Sequence, residues 1–351
     1  LFGMIGMGIA VAAPVAAQEI KAKLGTSLPD THPQTLGARK FAELADKKSN
    51  GRIKITVFSA AQLGSDQQMQ GALRGGTQEF AVPSTATLAN LVKEFGVIGL
   101  PFSFSNEKQA DAVLDGPFGQ SLLARLPEKD LIGLAFWENG FRNFTNSKRP
   151  IAKADDLAGL KVRTMQNTLY IDLFNGLGAN AVPMPVNELF TALETRAVDA
   201  QENPFTVVHA QKFYDVQKYL STTGHAYDAL VLIASKKFWD GLKPEDRSLL
   251  QAAAAEATVY QRQTSRELNT RMRAELDRST ETLFDLKQGP GGLVDLEFLL
   301  QYLVLRDAHA HPALLTPRGT PGLIDAAAAS DALSGDVAVD LRQAHRALLQ
   351  D

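Results

Sequence analysis

Twice along this chain a short β-prone run gives way to an amphipathic helix and then returns to a β run, and this rhythm limits the fold more than any other feature. The first series predicts a strand over Ile20 to Ser27 and a helix over Thr35 to Lys48, with Leu36, Phe41, Leu44 and Ala45 on one face. A half-buried strand over Arg52 to Phe58, a helix over Gln67 to Gly75 and a strand over Phe80 to Ser84 follow. The chain re-enters a strand over Asp130 to Arg142 and the rhythm restarts: strand Leu160 to Thr164, helix Thr168 to Leu177, strand Ala179 to Pro183, helix Val186 to Thr195, strand Ala197 to Gln201. Strands separated by helices imply an α/β sheet with helices on its faces, here as two lobes of similar plan. Lys243 to Glu275 then reads as one helix. It opens at Lys-Pro-Glu-Asp and runs through AAAAEA without Gly or Pro. At roughly 45–50 Å it is long enough to underlie both lobes.

With 351 residues, 45% of them hydrophobic, the chain can bury two cores. A net charge of -3 offers no basic excess to offset phosphates, which argues against a nucleic-acid partner. The absence of cysteine excludes disulfides, thiol nucleophiles, thiolate metal sites and a lipid-anchored cysteine. The uncharged opening LFGMIGMGIAVAAPVAAQ ends in Val15-Ala16-Ala17, which fits a secretory signal cut after Ala17. Its usual basic start is missing, so an upstream residue or more is expected to have been lost; a buried N-terminal helix is the other reading. No other stretch is apolar and long enough to span a bilayer, so the expectation is a soluble, exported, periplasmic protein.

Enzymatic motifs are lacking. The six histidines form no HExxH or helical pair, and His309-x-His311 lies in a tail of different character. Gly176-Leu-Gly-Ala-Asn-Ala follows a helix and precedes a strand, the wrong order for a dinucleotide fingerprint. No Gly-x-Ser-x-Gly elbow or phosphate loop occurs. No catalysis, cofactor or metal is expected.

Several blocks are specific enough to suggest a family: THPQTLGARKFAELADKKSNGRIKITVFSAAQLGSDQQM (31–69), GVIGLPFSFSN (96–106), GFRNFTNSKRPI (140–151), DLAGLKVRTMQNTLYIDLFNGLGANAVPMP (156–185), ELFTALETRAVDAQENPF (188–205), QKFYDVQKY (211–219) and LIASKKFWDGLKPEDR (232–247). Over about residues 20–270 they resemble, in collinear order, the DctP-type solute receptors of TRAP transporters. That resemblance implies a two-lobed periplasmic binding protein (type II-like, Venus flytrap) with crossing strands and a long helix spanning both lobes. Lobe I is expected over 18–139 plus about 229–268 and lobe II over 140–228. A small organic carboxylate, C4-dicarboxylate-like or related, is expected in the cleft, with TRAP membrane permease subunits as partners and a monomer as the working form. The rival readings are a secreted carboxylate-acting enzyme and a nonfunctional chimera.

The family's carboxylate-holding arginine, in its GLKVR block, falls on Arg163, at the end of the predicted strand. A guanidinium presents a planar fork of donors that matches both carboxylate oxygens. Arg142 from the GFRNFTN block is a second candidate, with a structural salt bridge as the alternative. Asn203 of the QENP block and Gln166 offer amides to orient other ligand atoms; capping is their alternative. Trp137, Phe205 and Tyr227 are candidate pocket walls, each also a candidate for plain core. From the first lobe come His32, Asp66, Ser84 and Thr85. His32 also suits a helix entry, and Asp66 a helix N-cap. Met165 stands where the family often has Pro and Ala200 where it often has Gly.

From about residue 271 the chain changes. FDLKQGPGGLVDLEFLLQYLVLRDAHAHPALL (284–315) resembles a segment of glutamine-synthetase adenylyltransferase, and the likeness begins near RMRAELDRS. The Gly-Ser and Asp-x-Asp pattern that nucleotidyl transfer needs for its metal ions is absent upstream. The expectation is a helical, foreign tail over about 271–351, the mark of a chimera; a divergent native tail is the alternative.

Overall fold

A computed structural model describes residues 19–276, 300, 310–316 and 319–347. The expected signal (1–17) and most of the 284–315 block lie outside the described residues. Eight strands form one sheet. At one end, β1 (Ile20–Gly25) pairs in parallel with β2 (Ile53–Phe58) and β3 (Phe80–Ala81). At the other, β5 (Lys161–Thr164) pairs in parallel with β6 (Asn180–Pro183) and β7 (Ala200–Asn203). Two long antiparallel strands, β4 (Leu131–Asn146) and β8 (Tyr219–Ser235), run between these sets. β8 joins β3 and β4 joins β7, giving the order β2-β1-β3-β8-β4-β7-β5-β6. Each crossing strand covers on the order of 50 Å and serves both ends of the sheet. The two-lobed α/β architecture expected from the rhythm is therefore the one observed.

The crossing pair is not straight. Its register shifts at Gly133/Ala135, Glu138/Gly140 and Arg142/Phe144. At the middle shift Gly140 takes φ 119°, a conformation that a Cβ would strain. Such bulges bend and twist a strand, here midway between the lobes.

The helices follow from local capping. α1 (Pro33–Lys48) starts with Pro33 at its first turn and His32 as its cap, and it buries Phe41, Leu44 and Ala45. α2 (Asp66–Gly75) opens on a capping box between Ser65 and Gln68. Asp66, a candidate cap, is thus the first helical residue instead, and its carboxylate is drawn to the Ser84 N–H. Pro83 has no N–H to extend a ladder, so β3 stops at Ala81 and α3 (Thr85–Leu88) follows with Ser84 as its cap. α4 (Glu107–Asp115) and α5 (Pro117–Leu123) were not read from the sequence. α6 (Thr168–Gly176) is capped by Asn167 rather than Gln166. α7 (Val186–Glu194) continues into a turn in which Arg196 takes φ 61° and Val198 N–H reaches Ala192 O. That turn delays β7 to Ala200. α8 (Phe205–Ala210) and α9 (Lys236–Gly241) flank β8.

α10 (Pro244–Leu276) has 33 residues, about 50 Å of helix, and packs on α1, β4 and α8, so it touches both lobes. Leu24, Phe41, Trp137 and Ala253 fill one face of the first lobe; Met69, Phe95, Phe136 and Val231 fill the other. Phe144, Val162 and Phe174, and separately Leu189, Val207 and Phe213, do the same for the second. The tail is helical where described: Thr320–Ala329 and Gly335–Ala347 bury Ile324, Ala327 and Ala338 against one another and Leu314.

Candidate ligand-binding site

In open α/β sheets the carboxyl ends of parallel strands border the binding crevice. β5 delivers Arg163 there, 2% exposed. Its Nε and Nη2 both donate to the Met184 carbonyl, at 3.0 and 2.7 Å, and no carboxylate among the described residues pairs with it. Burial, and then the charge of Arg142, pull its pKa down to about 10, so it stays cationic at neutral pH. A buried cation held by one neutral carbonyl is only partly compensated for its lost hydration.

Arg142, from β4, is the opposite case. Its side chain is fully buried, and Nε and Nη2 fork onto Glu202 of β7. Nη1 donates to Asp228 of β8 at 2.8 Å, and Nη2 also reaches Glu202 O (2.6 Å) and Asn203 Oδ1 (3.2 Å). Burial works against its charge, but Glu202 and Asp228 hold its pKa above the ordinary value. Burial likewise pushes the Glu202 carboxyl up, and Arg142 more than reverses this, leaving it at about 2. His225 Nε2 lies 3.2 Å from Glu202 Oε2. Arg142 therefore knits β4, β7 and β8 together at the bend between the lobes.

Both arginines line one cavity, with Asp66, Ser84, Asn139, Gln166 and Asn203. It measures about 50 Å³, room for on the order of four waters. Asn90 Nδ2 donates to Gln166 O (2.8 Å) and Asn167 Nδ2 to Ala86 O (2.6 Å), so two polar bonds join α3 and the residues after it to the segment that follows β5. A larger groove of about 690 Å³ runs between α4, α5, β4 and α10. Its arginines are already paired, Arg262 with Asp115 and Arg266 with Asp111 and Glu138, so it offers no unpaired arginine.

The first lobe contributes Asp66. Its Oδ2 accepts from Ser84 N–H at 3.0 Å, while Oδ1 is buried without a hydrogen bond, although the residue as a whole is only half-buried. Desolvation raises its pKa to about 6. Between the unfolded value near 4 and this raised value, the folded state holds the proton more tightly. Stability from this group is thus lost as pH rises through that window and is lowest above 6. We expect Asp66→Asn to raise the unfolding free energy at pH 7 by about 2 kcal/mol, with the gain shrinking toward pH 4. Urea titrations at the two pH values check this; equal effects at both would contradict it.

Among the other candidates, Ser84 Oγ donates to Asp228 Oδ1 at 2.6 Å. Thr85, the first residue of α3, is buried outside the cavity lining. Trp137 sits in the core, its Nε1 donating to Thr258 Oγ1. Tyr227 packs edge-on against Phe104 and Phe141 and donates to Glu138. Phe205 opens α8, buried outside the lining. His32 caps α1 through Nδ1, and its Nε2 meets Thr206 Oγ1 of the second lobe at 3.2 Å. Burial lowers its pKa to about 3. Below pH 6.5 the unfolded chain takes up a proton here that the folded chain refuses, so stability falls by up to about 1.4 kcal/mol per pH unit toward pH 3. His32→Asn keeps a capping side chain and removes that proton. The acid limb of its melting temperature against pH should be shallower below 6.5 than that of the parent.

Asn139, Met184, Glu202 and Asp228 were not read from the sequence. Glu202 adjoins Asn203 in the QENP block, the one local signal available. Among the described residues no group of three or more ligating side chains converges to hold a metal, and no helix is long and apolar enough to cross a membrane.

The family model for bacterial extracellular solute-binding protein, family 7, matches residues 24–288, which carries the match past Arg271, where a foreign tail was expected to begin. The 2,3-diketo-L-gulonate-binding periplasmic protein YiaO of Escherichia coli is 41% identical over 248 residues, 71% of this chain and 75% of that protein. The crystal structure of the sugar acid binding protein DctPAm from Advenella mimigardefordensis, in complex with galactonate, is 40% identical with a TM-score of 0.73, covering 89% of this chain and 99% of that one. A TRAP periplasmic solute binding protein from Polaromonas sp. JS666 bound to D-erythronate is 36% identical with a TM-score of 0.74, covering 90% and 100%.

Proposed function

Because the chain belongs to the bacterial extracellular solute-binding proteins of family 7, we propose that it captures a small organic carboxylate between its lobes and delivers it to a TRAP membrane permease. The observation that carries this reading is Arg163, a buried cation with no counter-ion among the described residues, at the strand end where the cleft closes. A carboxylate would replace the Met184 carbonyl with a bidentate, charge-assisted pair in a site sheltered from water. The relatives named for galactonate, D-erythronate and 2,3-diketo-L-gulonate support an acid of this class. The protein acts by binding alone, in the periplasm and as a monomer, after loss of residues 1–17. Lobe I comprises 18–139 with about 229–268, lobe II comprises 140–228, and they close about the Glu138/Gly140 bulge. The tail over about 271–351 is an adenylyltransferase-like addition, although the family match runs to 288; sequencing the coding DNA across the join tests that origin.

Thermal melting of the chain against a panel of small carboxylates tests the function. A true ligand at a hundredfold over its Kd adds about 2.7 kcal/mol and a clear rise in melting temperature. A cooperative melt that no acid in the panel shifts would count against the reading.

A further inference from the structure

On the run that leads from β5 into α6, just past Arg163, Asn167 makes two hydrogen bonds of different kinds. Its Oδ1 accepts from the Tyr170 N–H at 3.3 Å and caps α6 within the second lobe. Its Nδ2 donates to the Ala86 carbonyl of α3, in the first lobe, at 2.6 Å. These partners fix the amide, because the Tyr170 N–H needs an acceptor and the Ala86 carbonyl a donor. Capping uses only the oxygen. The nitrogen is left for the contact between lobes.

Burial gives this contact weight. Asn167 is 3% exposed and Ala86 5%, and Ala86 packs into the second lobe's core with Met165 and Tyr170. Gly99 of the first lobe faces Tyr170 as well, so closely that a Cβ would stand 3.1 Å from the hydroxyl. Asn90 Nδ2 and Gln67 Nε2 also reach across, to Gln166 O at 2.8 and 3.5 Å, but both side chains are exposed and water offers them the same bonds. Neither Asn167 nor Ala86 lines the ligand cavity, yet each adjoins a residue that does: Gln166 precedes Asn167, and Ser84 lies just before α3.

We infer that Asn167 is a positioning residue for ligand retention: its amide latches the second lobe onto α3 and sets how slowly a bound ligand leaves, without touching that ligand. This rests on the reading that the ligand is held between the lobes, and adds what holds them shut over it. With the lobes together, removing the donor leaves the Ala86 carbonyl sheltered and unmet; with the lobes apart, water meets it. Loss of the latch therefore penalises the closed form alone. Release quickens, while entry into the open form is unchanged.

Stopped-flow measurement of association and release tests the inference, with D-galactonate, D-erythronate and succinate as probes and each acid that binds the parent carried forward. Asn167→Ser keeps a capping oxygen for α6 but brings no second polar atom toward Ala86. Without ligand it should melt close to the parent. Bound acid should leave about five- to tenfold faster, the worth of one buried hydrogen bond, with the association rate within about twofold of the parent's. Asn167→Asp keeps both the cap and the shape of the side chain, and at neutral pH sets an acceptor against the Ala86 carbonyl; release should be faster still. Release at the parent's rate in both variants overturns the latch and leaves binding between the lobes standing. So does a loss of affinity carried by slower association with release unchanged. If none of the three acids binds the parent, the carboxylate reading fails and takes the inference with it.

Discussion

Arg163→Met is expected to remove carboxylate binding while leaving the unliganded protein at least as stable as the parent. Truncating one member of a buried, hydrogen-bonded charge pair costs about 2–5 kcal/mol of affinity, about 1.5 to 3.5 decades in Kd. The stability side runs the other way. Burial and Arg142 depress the Arg163 pKa from its ordinary value to about 10, a penalty of about 3 kcal/mol on the folded, charged form. Methionine removes that penalty and forfeits the two bonds to Met184 O, each worth about 1 kcal/mol. Calorimetry with the parent's ligand and a melt without ligand measure both halves. A variant that binds normally would remove Arg163 from the site; one that unfolds would make it a structural residue.

Arg142→Met should do the reverse and cost about 3–5 kcal/mol of stability at pH 7, because it strands Glu202 and Asp228 in the interior. The pH dependence carries the sign. With Arg142 present, Glu202 is held at about 2, so its contribution is in full force above the ordinary carboxylate pKa and is lost as pH falls through 2. Without Arg142 burial pushes the same carboxyl up and it takes a proton readily. The gap between parent and variant should therefore narrow as pH drops from 5 toward 2. Chemical denaturation at several pH values tests this, and a gap that widens on acidification would contradict the ion-pair account. Two arginines from neighbouring family blocks thus differ: Arg142 is tied up by Glu202 and Asp228, and Arg163 is the one proposed to hold the ligand.

How much of this could be read in advance depends on how local each signal is. The strand–helix rhythm and the uninterrupted run that became α10 rest on periodicity within short windows, and they placed both well. β8 escaped because its central residues are buried on both sides, which erases the alternation that marks a half-exposed strand. α4 and α5 hid behind a break at Gly116-Pro117 that shortens both. Arg163 could be singled out because its block is contiguous. The Arg142 network could not, since Glu202 and Asp228 meet Arg142 only after β4 pairs with β7 and β8. No spacing rule links them. The Met184 carbonyl carries no sequence signature at all, and Asn139 looks like any polar residue in a strand until Asp228 fixes its amide.

The order of strands also dictates when each lobe can form. Ala81 of β3 meets Ile233 of β8, and Leu24 shares its core with Ala253 and Ala257 of α10. The first lobe is therefore interrupted: it begins at residue 20 and cannot close until residues beyond 250 have arrived. The second lobe draws most of its core from one unbroken stretch between Ile151 and Val216. Closing long loops before any contact repays them is slow, so the inserted lobe should nucleate first and the split lobe last. Pulse-labelled hydrogen exchange should protect Val162 before Leu24. The half of the split lobe that is synthesised first therefore waits, unfinished, for partners that lie more than two hundred residues further along the chain.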